Sequence, residues 1–246
     1  FVIPLMALVP AFFFVGRYVR FDTEEEMAAR TENVQESLKI VSYNVGRFSL
    51  HDEKAGIHNR QECADSVFRF LQEQDADIIC LQEFHAPSAD KAKAYIAGKM
   101  NGYKAEYYLF PTAHGAFGNV TLSRLPVKDK GKIKFDGSAN LAIYTDYEAR
   151  GRSFRVYNCH FESYNVSLSG LVRGLVQRDS TVISATGDKM RRSITRRPKQ
   201  VDQVFSHIEQ CPVKTFVCGD FNDNPMSYTY YRMTRDRKDT FVEAGN

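Results

Sequence analysis

Residues 215–222 read Thr-Phe-Val-Cys-Gly-Asp-Phe-Asn, an apolar run that ends in a carboxylate and a carboxamide. The apolar part predicts a buried strand, and the strand period of two points Asp220 and Asn222 to the same side if the chain stays extended. Polar groups at the end of a buried strand cost desolvation free energy unless they find strong partners. A metal ion, a phosphate or an attacking water would be such a partner, and a plain turn is the alternative.

The same arrangement recurs at three other predicted strand ends. The largely apolar runs 40–43, 78–81 and 154–157 lead to Asn44, to Gln82 and Glu83, and to Asn158 and His160. One glutamate after a strand is usually a solvated loop residue, and one histidine is more often structural than catalytic. Several strand ends that all carry such side chains predict a shared pocket of carboxylates, carboxamides and an imidazole, provided that the ends meet.

A pocket of this composition suits a hard divalent cation. Mg²⁺ prefers oxygen ligands, keeps several waters and is often held by one or two carboxylates plus a substrate phosphate. The imidazole could donate a hydrogen bond to a phosphoryl oxygen as charge builds there. These features favour metal-assisted hydrolysis of a phosphate ester, with Mg²⁺ or Mn²⁺ as the cofactor. A zinc centre would need more histidine or cysteine ligands, and nucleotide-driven transfer would need a Gly-rich phosphate loop, which the sequence lacks.

The periodicity of the chain predicts a mixed α/β domain from Leu38 onward. Helical spacing marks 195–210 and also 58–74, where the expected inner face consists of Cys63, Val67, Phe70 and Leu71. The predicted strands are 38–43, 77–82, 103–110, 116–123, 141–144, 153–159 and 214–218. Several of them lack a polar face, which indicates sheets that are covered on both sides. We therefore expect two mixed sheets packed together, with helices outside.

Composition allows one large globular domain but does not identify a partner. The chain has 246 residues, 43% of them hydrophobic and 26% charged, with a net charge of +3. That charge is too small to indicate nucleic-acid binding by itself. The five cysteines have no ligand-like spacing, and buried reduced thiols are the expected state.

Residues 1–21 predict the end of a transmembrane or membrane-anchoring segment. An apolar stretch runs to Val15 and is closed by a group that includes Arg17 and Arg20. It is shorter than the ~20 residues that span a bilayer, so upstream sequence would have to complete it. A signal-peptide core fits less well, because the basic residues follow the apolar run. The arginines predict a cytoplasmic exit, so that residues 22–37 would be a linker and residues 38–246 a membrane-associated, cytoplasmic catalytic domain.

Two motifs carry a resemblance to a known family. The run Asp-Ile-Ile-Cys-Leu-Gln-Glu at 77–83, together with Gly-Asp-Phe-Asn at 219–222, resembles the endonuclease/exonuclease/phosphatase superfamily, which has the fold of exonuclease III and deoxyribonuclease I. Supporting matches are Ser42 to Asn44, Gly118 to Pro126 and Asn158 to His160. The resemblance implies a four-layer α/β sandwich and, with the apolar start, a membrane-anchored member of bacterial type.

The resemblance also implies a role for each site residue. Glu83 would be the main metal ligand, and Asn44 would help to organise the metal and its waters. His160 would contact the scissile phosphate, Asn222 would bind one of its oxygens, and Asp220 would orient or deprotonate the attacking water. The chain would then be a Mg²⁺-dependent phosphoric ester hydrolase. The alternative is a non-catalytic module of the same fold that binds phosphate or lipid.

One family feature has no counterpart in this sequence. The last strand of the family carries a Ser-Asp-His motif, whereas the sequence reaches Asn246 without it. We therefore expect a chain that lacks the final strands and has weak or no activity. Asp239 resembles another family position, for which a helix or turn role is an equal alternative.

The substrate stays open. The superfamily hydrolyses DNA, RNA, phosphoinositides and sphingomyelin, and a membrane segment favours lipid head groups without excluding a nuclease. Basic residues outnumber acidic ones in 171–200, which reads either as a basic arm for nucleic acid or anionic lipid or as a mobile, solvated loop. Five tyrosines could stack on bases or simply pack: Tyr107, Tyr108, Tyr228, Tyr230 and Tyr231.

Overall fold

The structure is a computed structural model that describes residues 15–19, 37–52, 56–164, 166 and 168–243. The chain divides into two compact units, Leu38–Asn222 and the pair Phe1–Ser37 with Asp223–Asn246. Most of the predicted membrane segment and linker lies outside the described residues, so both stay predictions. Within the part that is described, no helix has the length and apolar character needed to cross a membrane.

Two four-stranded mixed sheets form the larger unit. The first consists of β1 (Ile40–Asn44), β2 (Ile78–Ala86), β3 (Lys104–Thr112) and β4 (Gly115–Ser123), in the order β1-β2-β4-β3. The second consists of β5 (Val127–Lys134), β6 (Leu141–Ala149), β7 (Arg152–His160) and β8 (Lys214–Asp220), in chain order. The β1–β2 and β7–β8 pairs are parallel, and the other pairs are antiparallel.

Helices cover the outer face of each sheet. On the first sheet lie α1 (Arg60–Glu73) and α2 (Ala92–Lys99), whose apolar residues share one buried cluster with β2 and β4. After α3 (Leu168–Val176), the long α4 (Ser180–Glu209) packs on the second sheet, where the ring of His207 lies beside Tyr144 and Tyr157. This order of layers confirms the predicted α/β sandwich of two packed mixed sheets.

Strand β2 shows why the sequence forms a central strand. Ile79 and Leu81 pack in the cluster beneath α1 and α2, while Ile78 and Cys80 pack with Tyr147 between the two sheets. These four β2 side chains are fully buried. A strand covered on both faces has no solvent-facing position, which explains its nearly continuous apolar run.

The two parallel pairs bring the polar strand ends to one edge of the sandwich. Asn44 pairs in register with Gln82, and His160 pairs with Asp220. Across the sheet interface β1 contacts β8, and β2 contacts both β7 and β8. The carboxyl ends of these four strands therefore meet.

Some predicted elements were wrong or missing. Phe70 was expected on the inner face of α1. The residue is instead 45% exposed, and its ring lies beside the ring of Tyr43. Neither β5 nor α2 was predicted, and β6 extends to Ala149 rather than ending at Tyr144. The loop interpretation of 171–200 is also wrong, because α3 and α4 occupy most of this segment.

The smaller unit contains a short 3₁₀ turn (Val15–Arg17), α5 (Tyr228–Thr234) and α6 (Thr240–Glu243). Asp239 begins α6, since its Oδ1 accepts the backbone N–H of Phe241 at 2.8 Å. Its Oδ2 accepts the hydroxyl of Tyr230 at 2.8 Å. These contacts fit the helix-start interpretation of Asp239.

Candidate active site

Asn44 joins the two carboxylates of the site. Its side-chain Nδ2 donates to Asp220 Oδ2 at 2.7 Å and to Glu83 Oε1 at 3.3 Å. Its Oδ1 accepts the backbone N–H of Gly46 at 2.9 Å, which fixes the orientation of the amide. Because Asn44 ends β1 and Asp220 ends β8, this side chain links the two sheets at the edge where their strands end.

Glu83 reaches this cluster through an irregularity in β2. The ladder between β2 and β4 shifts between Leu81 and Phe84, which marks a β-bulge. Within the bulge Glu83 has a φ of 50°, in the left-handed region. Such a conformation costs free energy that the surrounding structure must offset, and it recurs at functional sites. The bulge thus directs the carboxylate toward Asn44 and the solvent.

Gly219 allows the close approach of the strands that carry Asp220 and His160. A Cβ atom at this position would lie 1.9 Å from the carbonyl oxygen of Cys159, and the φ of Gly219 is +142°. Both facts require glycine here. The glycine of the Gly-Asp-Phe-Asn motif therefore sets the register in which Asp220 sits beside His160.

His160 faces the carboxylates from the end of β7. Its Nε2 lies 3.8 Å from Glu83 Oε1, outside hydrogen-bond range, and this buried atom finds no hydrogen-bond partner among the described residues. Burial lowers the pKa of His160, although the charges of Asp220 and Glu83 act in the opposite direction. The imidazole is therefore neutral at neutral pH and keeps a nitrogen available for a ligand.

Asn222 supports the turn after β8. Its backbone N–H donates to Asp220 Oδ1 at 2.8 Å, and its side-chain Nδ2 donates to the carbonyl oxygen of Phe161 at 2.9 Å. Its φ of 51° again lies in the left-handed region. The structure thus places Asn222 against Asp220 and the end of β7, while its phosphate-binding role stays a prediction.

The carboxamides of Gln82 and Asn158 lie below the site, in the interface between the sheets. Gln82 Nε2 donates to Asn158 Oδ1 at 2.8 Å, and both residues are at most 1% exposed. Asn158 Nδ2 in turn donates to the carbonyl oxygens of Leu81 and Val120 at 3.2 and 3.0 Å. The expectation that they would line a shared pocket was therefore wrong, because these amides join the two sheets instead.

A polar cleft of about 290 Å³ opens beside Glu83 and His160. Its other lining residues are Gly46, Arg47, Ser49, Asn140, Glu162 and Ser163. None of these six residues was predicted from the sequence. The available signal was for Arg47, which follows the Ser-Tyr-Asn motif by three positions. Arg47 has a φ of 56°, and its Nε lies 3.4 Å from Glu83 Oε2.

The long helix α4 holds one wall of this cleft. Arg197 is 2% exposed, and its Nε donates to the carbonyl oxygen of Glu162 at 2.8 Å. Gln200 Oε1 accepts the backbone N–H of Glu162 at 2.8 Å. Part of the basic segment 171–200 is therefore structural, since Arg197 ties the chain after β7 to α4.

The residues at this edge fit a hard cation better than a closed metal cage. In the described residues, no group of three or more histidine, cysteine, aspartate or glutamate side chains is arranged to hold a metal ion. Glu83 nevertheless lines an open polar cleft, and the amide of Asn44 holds the carboxylate of Asp220 beside that of Glu83. Mg²⁺ is commonly bound by few protein oxygens, with water and substrate phosphate completing its shell. The donor set therefore suits Mg²⁺ or Mn²⁺.

The sandwich and its acid–amide–imidazole edge define a class, the α/β-sandwich phosphoester hydrolases. A model of the Endonuclease/Exonuclease/phosphatase family matches residues 41–245. The chain belongs to this family, whose members hydrolyse phosphoesters. No match was found among curated protein sequences.

Solved structures share the fold at low sequence identity. A mannosyl-6-phosphatase of Bacteroides thetaiotaomicron is 14% identical, covers 81% of this chain and 71% of its own, and has a TM-score of 0.55. A humanized D. rerio TDP2 is 16% identical, with 80% and 70% covered and a TM-score of 0.52. ANGEL2, described as a 2',3'-cyclic phosphatase, is 17% identical, with 80% and 56% covered and a TM-score of 0.53. These likenesses establish the fold alone.

Proposed function

We propose that this protein hydrolyses phosphate esters with the help of a divalent cation, Mg²⁺ or alternatively Mn²⁺. The observation that carries the proposal is the bridge of Asn44 between Glu83 and Asp220, beside a buried imidazole nitrogen of His160 without a partner in the described residues. A structural cluster would satisfy that nitrogen, because an unpaired buried polar atom costs about 1–3 kcal/mol. An incoming phosphate oxygen or water would satisfy it.

Each residue has a chemical task in this proposal. Glu83 would hold the cation, which would supply charge neutralisation and polarise the phosphoryl group. Asn44 would help to organise the metal and its waters through the amide that it donates to Glu83 and Asp220. Asp220 accepts hydrogen bonds from Asn44 and from the backbone of Asn222, which fix its carboxylate. This carboxylate would align or deprotonate a water. Neutral His160 would donate to a phosphoryl oxygen as negative charge builds there. Asn222 would add a contact to the phosphate.

The membrane location belongs to the same proposal but depends on the sequence alone. The apolar run before Arg17 supports an anchor that holds the catalytic unit at the cytoplasmic face of a membrane. The similarity to the mannosyl-6-phosphatase and to ANGEL2 supports phosphoester chemistry for this chain. It does not favour a lipid, a sugar or a nucleic acid as the substrate.

A hydrolysis screen tests the proposal. Because the Ser-Asp-His motif of the family is expected to be needed for turnover, the full-length protein is assayed with bis(p-nitrophenyl) phosphate and p-nitrophenyl phosphate, with Mg²⁺, with Mn²⁺ and with EDTA. We expect metal-dependent turnover that Glu83→Gln reduces by about 10²-fold or more, because this change removes a charged ligand of the cation. Glu148→Gln is the matched control, since Glu148 pairs with Lys128 away from the cleft. Full activity of Glu83→Gln would refute the metal assignment.

A further inference from the structure

Aromatic rings and cationic side chains lead away from the cleft along the open side between the two sheets. We propose that they form a binding path, here named the strand track, for single-stranded nucleic acid whose scissile phosphate lies in the cleft. The proposal rests on the phosphoester hydrolysis proposed above and names the substrate class. The strand track consists of Arg47, Tyr108, Phe110, Phe117, Lys132 and Lys134.

The rings of the strand track follow one another at contact distance. The ring centroids of Tyr108 and Phe110 are 5.0 Å apart, and those of Phe110 and Phe117 are 6.2 Å apart. The guanidinium carbon of Arg47 lies 4.7 Å from the centroid of Phe117, and its Nε reaches Glu83. All three rings are partly exposed. The track therefore continues without a break to the catalytic edge.

Two lysine ammonium groups lie at the other end of the track. The Nζ atoms of Lys132 and Lys134 are 4.2 and 4.9 Å from the ring centroid of Tyr108. Neither forms an ion pair with a carboxylate of the described chain, whereas the neighbouring Lys130 is held by Glu106 at 2.5 Å. Two like charges beside one ring repel each other, and a phosphate bound between them would remove that repulsion.

The strand register places these lysines near the level of the site. Lys134 pairs with Leu141, and Leu141 pairs with His160. Since one strand separates β5 from β7, the backbones of Lys134 and His160 are about 10 Å apart. A groove of about 230 Å³ that includes Tyr108 and Lys132 continues along this side. One extended strand could therefore touch the lysines and the cleft together.

The alternation of rings and cations favours a single-stranded nucleic acid over other polyanions. Bases stack on aromatic side chains while a basic groove follows the phosphates, and this combination is typical of single-strand binding. Lysines on an edge strand also prevent sheet-to-sheet association, which would explain Lys132 and Lys134 alone. That explanation does not account for the partly exposed rings of β3 and β4, or for Arg47 at the mouth of the cleft.

Binding is measured without turnover, by fluorescence anisotropy of labelled oligothymidylate and oligoadenylate of about 12 nucleotides, in EDTA. We expect Lys132→Gln/Lys134→Gln to weaken binding roughly tenfold and to lower the salt slope of log K by about 1.4, since each single-strand phosphate contact contributes about 0.7. Tyr108→Leu should weaken binding roughly fivefold or more, through lost stacking. Lys93→Gln/Lys214→Gln removes the same charge from exposed positions elsewhere and should bind like the wild type.

The outcomes separate this proposal from the proposed function. Equal oligonucleotide binding by the track variant and the lysine control would overturn the strand track. Track variants that lose binding to phosphatidylglycerol vesicles but keep oligonucleotide binding would overturn it as well. A wild-type protein that binds oligonucleotide through the track, yet hydrolyses no phosphate ester with Mg²⁺ or Mn²⁺, would support the track as a binding site and overturn the hydrolase proposal.

Discussion

Asn44 donates its side-chain amide to Asp220 at 2.7 Å across the interface between the two sheets, although the two residues are 176 positions apart in the chain. The same amide donates to Glu83 at 3.3 Å. A neutral donor between two carboxylates reduces their repulsion without adding a charge that would compete with a cation. The separation of the two carboxylates therefore depends on this donor.

Replacing Asn44 with alanine should lower phosphodiester turnover by about 10²-fold, because Glu83 and Asp220 would lose the group that fixes their separation. Activity against bis(p-nitrophenyl) phosphate is the measurement. Asn101→Ala, at an exposed turn, is the matched control and should keep wild-type activity. Turnover within twofold of the wild type in Asn44→Ala would show that the bridge has no role in catalysis.

Divalent cations should raise the melting temperature of the protein. A ligand that binds only the folded state adds about 2.7 kcal/mol to the free energy of unfolding at a concentration of 100 Kd. The rise in melting temperature should therefore grow with the Mg²⁺ concentration and vanish with EDTA. Differential scanning fluorimetry reads this effect without any substrate. The shift should be lost in Glu83→Gln and kept in Glu148→Gln, and an equal shift in both variants would place the cation elsewhere.

His160→Gln should separate activity from stability. The imidazole nitrogen has no partner in the described structure, so its removal breaks no hydrogen bond of that atom. We expect turnover to fall by about 10²-fold to 10⁴-fold, while the melting temperature changes by only a few degrees. A large loss of stability with little loss of activity would assign His160 a structural role.

The sandwich could be predicted from the sequence because its central strands are buried on both faces. Such a strand is apolar at every position, as the run Ile78 to Leu81 is. The strand ends also predicted a pocket that contains Asn44, Glu83, His160 and Asp220, on the condition that the ends meet. The parallel pairs of the structure fulfil that condition, which the sequence alone did not establish. Periodicity could not reveal the bulge that turns Glu83 toward the cleft, because a bulge is an exception to the strand period.

The helix α4 shows a second limit of sequence reasoning. Helical spacing predicted a helix that begins at Thr195 and ends at Gln210. The helix instead begins at Ser180, where Asp179 accepts the backbone N–H groups of Thr181 and Val182 at 3.0 and 3.3 Å.

Asn140 was also missed by the sequence-based prediction of the site. Its bond to the carbonyl oxygen of Phe161, at 2.5 Å, depends on tertiary contact that no local pattern encodes.

Gly219→Ala should destabilise the protein severely. Its Cβ would lie 1.9 Å from a backbone oxygen at a φ that alanine disfavours, so we expect a loss of roughly 3 kcal/mol or more in the free energy of unfolding. Gly187→Ala is the matched control, because a Cβ at that position in α4 meets nothing within 4 Å. It should raise stability by about 0.5–1 kcal/mol. Urea denaturation measures both, and equal stability of the two variants would contradict the close approach.

The pair Tyr157 and His207 should make folding stability depend on pH. The hydroxyl of Tyr157 lies 2.8 Å from His207 Nδ1, and burial raises the pKa of Tyr157 to about 12, so the hydroxyl donates to an unprotonated imidazole. Burial lowers the pKa of His207, and the charge of Arg155 acts in the same direction. As pH falls below about 6.5, the unfolded chain takes up the proton before the folded protein does.

The contribution of His207 to stability is therefore complete above about pH 6.5 and is lost as pH falls from there toward the lower pKa of the folded state. Urea denaturation at about pH 7.5 and about pH 5.5 brackets this window. The loss of unfolding free energy between the two should be smaller in His207→Gln than in the wild type, since glutamine can accept the tyrosine hydrogen bond without titrating. Gln203→Ala changes the same helix without removing a titratable group and should keep the wild-type loss. An unchanged loss in His207→Gln would show that the buried imidazole does not couple protonation to folding.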